Sequence, residues 1–134
     1  MNIVGTADGN GDGAWISGSM FEGLTSLKTV NIIGKIDTIY SDAFKGCTGL
    51  TEITLPDTVQ YIYAGAFAGC TGLTEIAIPE SVERIYAGAF EGWTEEQTIV
   101  VPFAEGQLPE DWEEGWSGNA TVQYASASSE EGAE

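Results

Sequence analysis

The sequence predicts a repeat solenoid, mainly of β-structure, in which successive turns of the chain stack around one core. Phenylalanine returns every 23 residues and opens a near-copy of one segment each time: Phe21, Phe44, Phe67 and Phe90. The two best copies, 45–67 and 68–90, match at 16 of 23 positions without a gap. A fixed period of this length is typical of solenoids, because one repeat cannot bury its own apolar face and must stack on its neighbours.

Each repeat faces the core with three segments. The alternation I-x-L/I before Pro56 and Pro79 predicts a short strand with one buried face, which ends at the proline because proline has no N–H to donate. The V-x-x-I-Y stretch that follows predicts a second short strand. The small residues around the Ala-Phe pair predict one short helical turn that inserts phenylalanine into the core. Stacking then places parallel strands about 4.8 Å apart along two sides.

The motif A-F-x-G-C-T-x-L-T-x-I-x-I-P-x-S-V-x-x-I resembles BspA-like (Treponema pallidum-type) leucine-rich repeats over about residues 15–102. The resemblance implies a short right-handed stack of the leucine-rich-repeat type and a place in a surface protein. The first repeat departs from the motif, with Leu24 instead of cysteine and Ile33 instead of proline. Tyrosine stands where that family usually has glycine after the second isoleucine: Tyr40, Tyr63 and Tyr86.

Composition divides the chain into a repeat region with a cap at each end and a tail. The predicted segments are an N-terminal cap or turn (1–14), the repeats (15–102), a C-terminal cap (103–125) and a disordered tail (126–134). The tail contains only Ser, Ala, Gly and Glu, and such a composition does not build a core.

The fourth repeat has the changes expected of a turn next to a cap. Trp93 replaces the cysteine and Glu96 replaces the core leucine, while Gln97 falls at an outward position. Trp112 and Trp116 follow in the C-terminal cap, and we expect them to cover the last turn of the core. A final strand is expected over 121–125.

Charge argues against two classes of partner or location. The formal net charge is −17, from 21 acidic and 4 basic residues, and residues 91–134 hold eleven acidic residues and no basic one. Such a surface repels a phosphate backbone, so we expect no nucleic-acid binding. No apolar run approaches the ~18 residues of a membrane span. The acidic residues either keep a repetitive β protein soluble or bind divalent cations or a basic partner.

The residues for catalysis are few. The chain has no histidine, which removes the usual base of Ser-His and Cys-His pairs and the commonest zinc ligand. Glu52 and Glu75 stack one repeat apart and offer a carboxylate pair for acid–base chemistry. The repeat itself produces this pair, however, and a solvated row explains it. We therefore expect a protein that is not an enzyme.

Cys47 and Cys70 occupy the same position in consecutive repeats. Their α-carbons would lie about 4.8 Å apart, within disulfide range, but their side chains would project in parallel. Leu24 and Trp93 hold the same position in the flanking repeats, which indicates an apolar site. Reduced, buried thiols are the better interpretation.

The segment Asp8-Gly-Asn-Gly-Asp-Gly13 is the one stretch that resembles ion chemistry. Asp8, Asn10 and Asp12 fall at positions 1, 3 and 5 of a calcium loop, and the carbonyl of Ala14 would take position 7. Position 12 is Ser19 rather than a bidentate glutamate. Calcium is thus the only cofactor that the sequence suggests, and the alternative is a Gly/Asp-rich turn leading into the first repeat.

A column of tyrosines is the first candidate for a binding surface. Tyr40, Tyr63 and Tyr86 recur once per turn, with Tyr61 beside them, and stacked tyrosines present rigid amphipathic contact area. The alternative is that these rings only stack on one another and cover the backbone. The polar, Thr-rich row that contains Glu52 and Glu75 is the second candidate.

Two functions from different classes remain open. The first is a binding or adhesion module, part of a longer cell-surface or extracellular protein, that contacts a protein or glycan. The second is a structural module, a spacer or subunit of a larger surface or virion-like assembly with no small ligand. The start Met-Asn-Ile-Val-Gly-Thr lacks the features of a secretion signal, so a cytoplasmic or virion location is the alternative. The sequence specifies no oligomeric state.

Overall fold

Two rows of short parallel strands form the protein. The computed structural model describes the backbone of residues 2–5 and all atoms of residues 14–125. The first row holds β1 (Asn2–Gly5), β3 (Thr29–Gly34), β5 (Glu52–Thr54), β7 (Glu75–Ala77), β9 (Thr98–Val100) and β10 (Thr121–Gln123). The second row holds β2 (Ala14–Ile16), β4 (Ile36–Ile39), β6 (Tyr61–Ile62) and β8 (Arg84–Ile85). The chain alternates between the rows as it climbs the stack.

Hydrogen bonding makes the second row one sheet of order β2-β4-β6-β8 and divides the first into two sheets, β1-β3-β5 and β10-β9-β7. Every pair is parallel, and the register advances by one repeat: Thr29 pairs with Glu52, Tyr61 with Arg84, and Glu75 with Thr98. One turn is therefore 23 residues long. The predicted solenoid of parallel strands is confirmed.

Equivalent side chains of successive turns stack into columns that fill the core. The rings of Phe44, Phe67 and Phe90 are fully buried, and neighbouring ring centroids lie 5.6 and 5.4 Å apart. Phe21 stacks on Phe44 at 5.2 Å but is only half-buried. A buried phenylalanine contributes about 1.5–3 kcal/mol relative to an exposed one. The period that predicts the fold is thus also the period of its core packing.

The segment around each Ala-Phe pair differs from the predicted helical turn. It is a run of hydrogen-bonded turns, and no helix occurs in the described ranges 2–5 and 14–125. Every second N–H donates to the carbonyl three residues earlier, as in Ala43 to Tyr40. The N–H groups between them donate to the next turn of the stack, as in Phe44 to Ala66 at 2.8 Å. Half of the donors are used between turns, so the hydrogen-bond series of an α-helix cannot form.

The backbone enters the left-handed region at one position of each of these turns. The residues at this position, with their φ angles, are Ser19 (59°), Asp42 (62°), Gly65 (76°) and Gly88 (83°). Glycine adopts this conformation without strain, whereas serine and aspartate adopt it at some cost. The first two turns are therefore more strained here than the next two.

The C-terminal end of the core is closed. The predicted outward position of Gln97 is wrong: its side chain is 5% exposed and donates to the carbonyls of Cys70 and Leu73, at 3.0 and 2.8 Å. These carbonyls belong to the last turn with a leucine at the core position, and buried carbonyls need a donor. Trp112 and Trp116 are buried as expected, with ring centroids 4.9 Å apart.

The final strand of this end is β10, whose residues Thr121–Gln123 lie within the predicted 121–125. Among the residues that the structure describes, no helix is long and apolar enough to cross a membrane. The predicted tail (126–134) and most of the predicted N-terminal cap (1–14) lie outside the described residues.

Candidate binding surface

The tyrosine column forms because each tyrosine directly follows a core isoleucine of the second row. Ile39, Ile62 and Ile85 are fully buried, so the next residue points outward. The N–H of Tyr63 donates to Ile39 at 3.0 Å, and that of Tyr86 donates to Ile62 at 2.9 Å. These bonds fix the three backbones one above the other.

The rings of the column stack continuously. Tyr40 and Tyr63 have centroids 5.0 Å apart with 38° between their planes, and Tyr63 and Tyr86 lie 4.5 Å apart at 16°. Arg84 follows at the far end, with its guanidinium carbon 5.2 Å from the Tyr86 centroid and Nη1 3.3 Å from the Tyr86 hydroxyl. Tyr63 thus has a ring on each side. The stack presents mainly ring edges and hydroxyl groups to solvent.

The hydroxyl groups of the column remain protonated at neutral pH. The hydrogen bond with the Tyr86 side chain raises the pKa of Tyr63, and burial and the neighbouring tyrosines add to the effect. A neutral phenol both donates and accepts hydrogen bonds. The column is therefore a neutral row on a strongly acidic chain.

A second outward column runs beside the first through β2, β4, β6 and β8. The register aligns Trp15 with Thr38, Thr38 with Tyr61, and Tyr61 with Arg84. Thr38 is only 7% exposed although it points outward, because it is small and lies between two large aromatic residues, whereas Trp15 is 57% exposed. We call Tyr40, Tyr61, Tyr63 and Tyr86 the tyrosine face; Trp15 and Arg84 flank it.

Arg84 also connects the tyrosine face to the C-terminal cap. Its Nε donates to the Asp111 carbonyl at 3.3 Å, and its Nη2 lies 4.0 Å from the Asp111 carboxylate. Both side chains of this pair are largely exposed, so the ion pair contributes little stability. Its effect is to hold the guanidinium near Tyr86.

The row with Glu52 and Glu75 is a solvated strand surface. Both side chains are exposed, on β5 and β7, and the strand register places Thr29 and Thr98 in the same row. Within residues 14–125, no group of three or more His, Cys, Asp or Glu residues is placed to hold a metal ion. The row offers polar contacts rather than a preformed catalytic or metal site.

The two cysteines are free, buried thiols, as predicted. The Sγ of Cys47 donates to the Phe21 carbonyl and that of Cys70 to the Phe44 carbonyl, each at 3.1 Å. Burial raises the pKa of both thiols, that of Cys70 to about 12. A thiolate is the reactive form of cysteine, so these residues are chemically inert.

The comparisons with known proteins agree with this architecture. The family model of the BspA type leucine-rich repeat region matches six copies over residues 14–108. The chain belongs to the BspA-type leucine-rich repeat family. The crystal structure of the T. pallidum leucine-rich repeat protein is similar with a TM-score of 0.56 and 23% sequence identity, over 91% of this chain and 68% of that one. No curated protein matches the sequence.

Membership of the BspA-type family sets the level at which function follows. Such repeats are protein-interaction or structural modules, and they are typically scaffolds without catalytic activity. The similarity to the T. pallidum protein extends the argument to the fold alone, since the identity is low. Any more specific function depends on the surfaces of this chain.

Two features of the surface stand differently toward the sequence. Trp15 was missed as part of the aromatic surface, although it lies one 23-residue period before Thr38 and the repeat register points to it. The calcium prediction rests on Asp8, Asn10 and Asp12, which lie outside the described residues. Ala14 begins β2, and its N–H donates to the Lys35 carbonyl at 2.8 Å. Calcium binding stays a prediction.

Proposed function

We propose that this BspA-type chain is a non-enzymatic binding module that contacts a protein or a glycan through the tyrosine face, as part of a protein displayed at a cell surface. The single observation that supports it most is the continuous stack of Tyr40, Tyr63 and Tyr86 with Arg84 at its end. A surface fixed before binding loses little conformational entropy on association.

The chemistry of the tyrosine face suits a neutral or hydroxyl-rich partner. Ring edges give apolar contact, the phenol groups donate and accept hydrogen bonds, and Arg84 adds donors at one end. Sugar hydroxyls and peptide groups match this combination. An anionic polymer does not, because the chain carries a net charge of −17.

The test compares variants of the face with a matched variant of the other row. Tyr63→Phe retains the stacked ring and removes only the hydroxyl, whereas Tyr61→Ala removes a ring outside the stacked column. Glu75→Gln changes one exposed residue on β7 and serves as the control. The probes are a printed glycan array and a peptide library displayed on phage.

We expect binding signals of the parent chain to fall by about tenfold or more in Tyr61→Ala and to weaken in Tyr63→Phe, as for residues at the centre of an interface. Glu75→Gln should retain them. Signals that survive in both tyrosine variants, with thermal stability intact, would exclude the tyrosine face as the binding site.

The structural or assembly role has its own supporting observation. The exposed large apolar side chains of the described residues all lie between residues 15 and 40: Trp15, Met20, Leu24, Ile33 and Tyr40. Exposed apolar clusters often mark contact surfaces. Light scattering after size exclusion tests this role, and a particle that stays monomeric at high concentration counts against assembly of the chain with itself.

A further inference from the structure

The N-terminal end of the stack exposes residues at positions that belong to the core. Met20 is 52% exposed, although the equivalent Ala43, Ala66 and Ala89 are fully buried. Leu24 is 44% exposed at the position of the buried Cys47. Phe21 and Leu27 are half-buried, while their equivalents in the next two turns are fully buried. We call Met20, Phe21, Leu24 and Leu27 the end face. Its exposure follows from the lack of a turn above it.

The backbone at the end face has a row of unused acceptors. Within the stack, each Ala-Phe turn donates N–H groups to carbonyls of the next turn, as in Ser19 to Ser41, Phe21 to Ala43 and Gly23 to Lys45, at 3.0, 2.8 and 2.7 Å. One turn earlier, the equivalent carbonyls are those of Gly18, Met20 and Glu22. None of these three accepts a hydrogen bond from any residue in the described ranges. The end face thus combines apolar side chains with three acceptors in repeat register.

We propose that the end face is a docking surface for one further repeat turn, carried by the same polypeptide and leading directly into β1. An A-F-x-G turn is complementary to it in both respects. Such a turn presents a row of N–H donors on the side that faces the next turn, as the bonds between the inner turns show. It also presents phenylalanine and small apolar residues in the columns that end at Phe21 and Met20.

The strand register supports a turn in the same chain. Asn2 pairs with Asn31 at the start of β1, and Asn31 pairs with Thr54. In repeat register Asn2 therefore corresponds to Thr54 and Ala77, and Met1 corresponds to Ile76. A turn with the sequence of residues 63–75, placed directly before Met1, would be in phase with β1 and would need no linker.

A second copy of the chain fits the end face poorly. If two end faces met, the carbonyl row of one would face the carbonyl row of the other, with no donors between them. In a head-to-tail contact, the end face would meet the end that Gln97, Trp112 and Trp116 close, within the strongly acidic residues 91–134. Charge does not oppose a repeat turn, because residues 14–50 hold three acidic residues and three lysines.

The experiment adds such a turn to the full chain. In the extended variant, a copy of residues 63–75 precedes Met1; in the control, the same residues precede Met1 in shuffled order. We expect the extended variant to melt at least about 4 °C higher than the control, since the added turn buries apolar surface. Oxidation of Met20 by peroxide, followed by peptide mass spectrometry, should slow several-fold in the extended variant only.

A second background removes the possibility that large side chains block the docking. Met20→Ala with Leu24→Cys restores the residue types of the inner turns, and the in-phase extension should stabilise this background at least as much. Equal melting temperatures for the in-phase and shuffled extensions in both backgrounds would overturn the proposal. So would a concentration-dependent dimer of the unextended chain that protects Met20 from peroxide, because it would assign the end face to a second copy.

Discussion

Gly65 offers a quantitative test of how tightly the turns are stacked. Its backbone has φ +76°, and a Cβ added there would overlap the carboxylate of Asp42 in the turn before it. Gly88 holds the same position one turn later, with φ +83°, and an added Cβ would meet nothing within 4 Å. The two glycines therefore share a backbone requirement and differ in the contact with the neighbouring turn.

The expected magnitudes follow from these two contributions. A left-handed backbone costs an L-residue roughly 1–2 kcal/mol, so Gly88→Ala should lower the free energy of unfolding by about that amount. Gly65→Ala should cost about 1 kcal/mol more, because the added methyl displaces the Asp42 side chain in a packed stack. In Asp42→Gly the obstacle is absent, so adding Gly65→Ala to that variant should cost only as much as Gly88→Ala.

Urea unfolding of the four proteins of this cycle, together with Gly88→Ala, measures the coupling between Asp42 and Gly65. Asp42→Gly alone should be neutral or slightly stabilising, because glycine adopts its φ of 62° without strain. If Gly65→Ala and Gly88→Ala cost the same, or if Asp42→Gly leaves the cost of Gly65→Ala unchanged, the described contact between these turns is wrong.

Three further predictions concern the thiols, the C-terminal closure and the N-terminal loop. Burial raises the pKa of Cys47, and that of Cys70 from its ordinary 9.0 to about 12, so their contribution to stability is complete below pH 9 and is lost as the pH rises toward 12. Urea midpoints of Cys47→Ala/Cys70→Ala should decline less over that range than those of the parent. Gln97→Ala leaves two buried carbonyls without a donor and should cost about 2–4 kcal/mol in urea unfolding, whereas the exposed Glu96→Ala should cost under about 0.5 kcal/mol. If the loop 8–14 binds calcium, millimolar calcium should raise the melting temperature above that in chelator; superimposed melting curves would contradict the calcium prediction.

Much of the fold could be predicted from the sequence because the repeat makes one argument apply several times. The columns of Phe44, Phe67 and Phe90 and the parallel register both follow from the period of 23 residues. The tyrosine column also follows, since tyrosine recurs at one position of that period. Period alone specifies which residues stack, and in a solenoid stacking is most of the structure.

The features that the sequence did not reveal depend on hydrogen bonds between turns. The Ala-Phe segment was expected to be helical because small residues suit a tight turn, but its alternate N–H groups bond to the next turn. Gln97 was expected to face solvent because its position is outward in other repeats. Its amide turns inward because the carbonyls of Cys70 and Leu73 need donors at the end of the stack. Such needs arise only once the turns are placed together.

One position shows that the stack selects for a donor as well as for apolar bulk. Cys47, Cys70 and Trp93 differ greatly in size, yet the Sγ or Nε1 of each donates to the carbonyl of the phenylalanine one turn back. Leu24 holds this position in the first turn, where no earlier phenylalanine carbonyl exists within residues 14–125 to receive a bond. The exchange of cysteine for tryptophan therefore preserves a hydrogen bond that apolar pattern analysis does not detect, and the leucine stands where that bond has no acceptor.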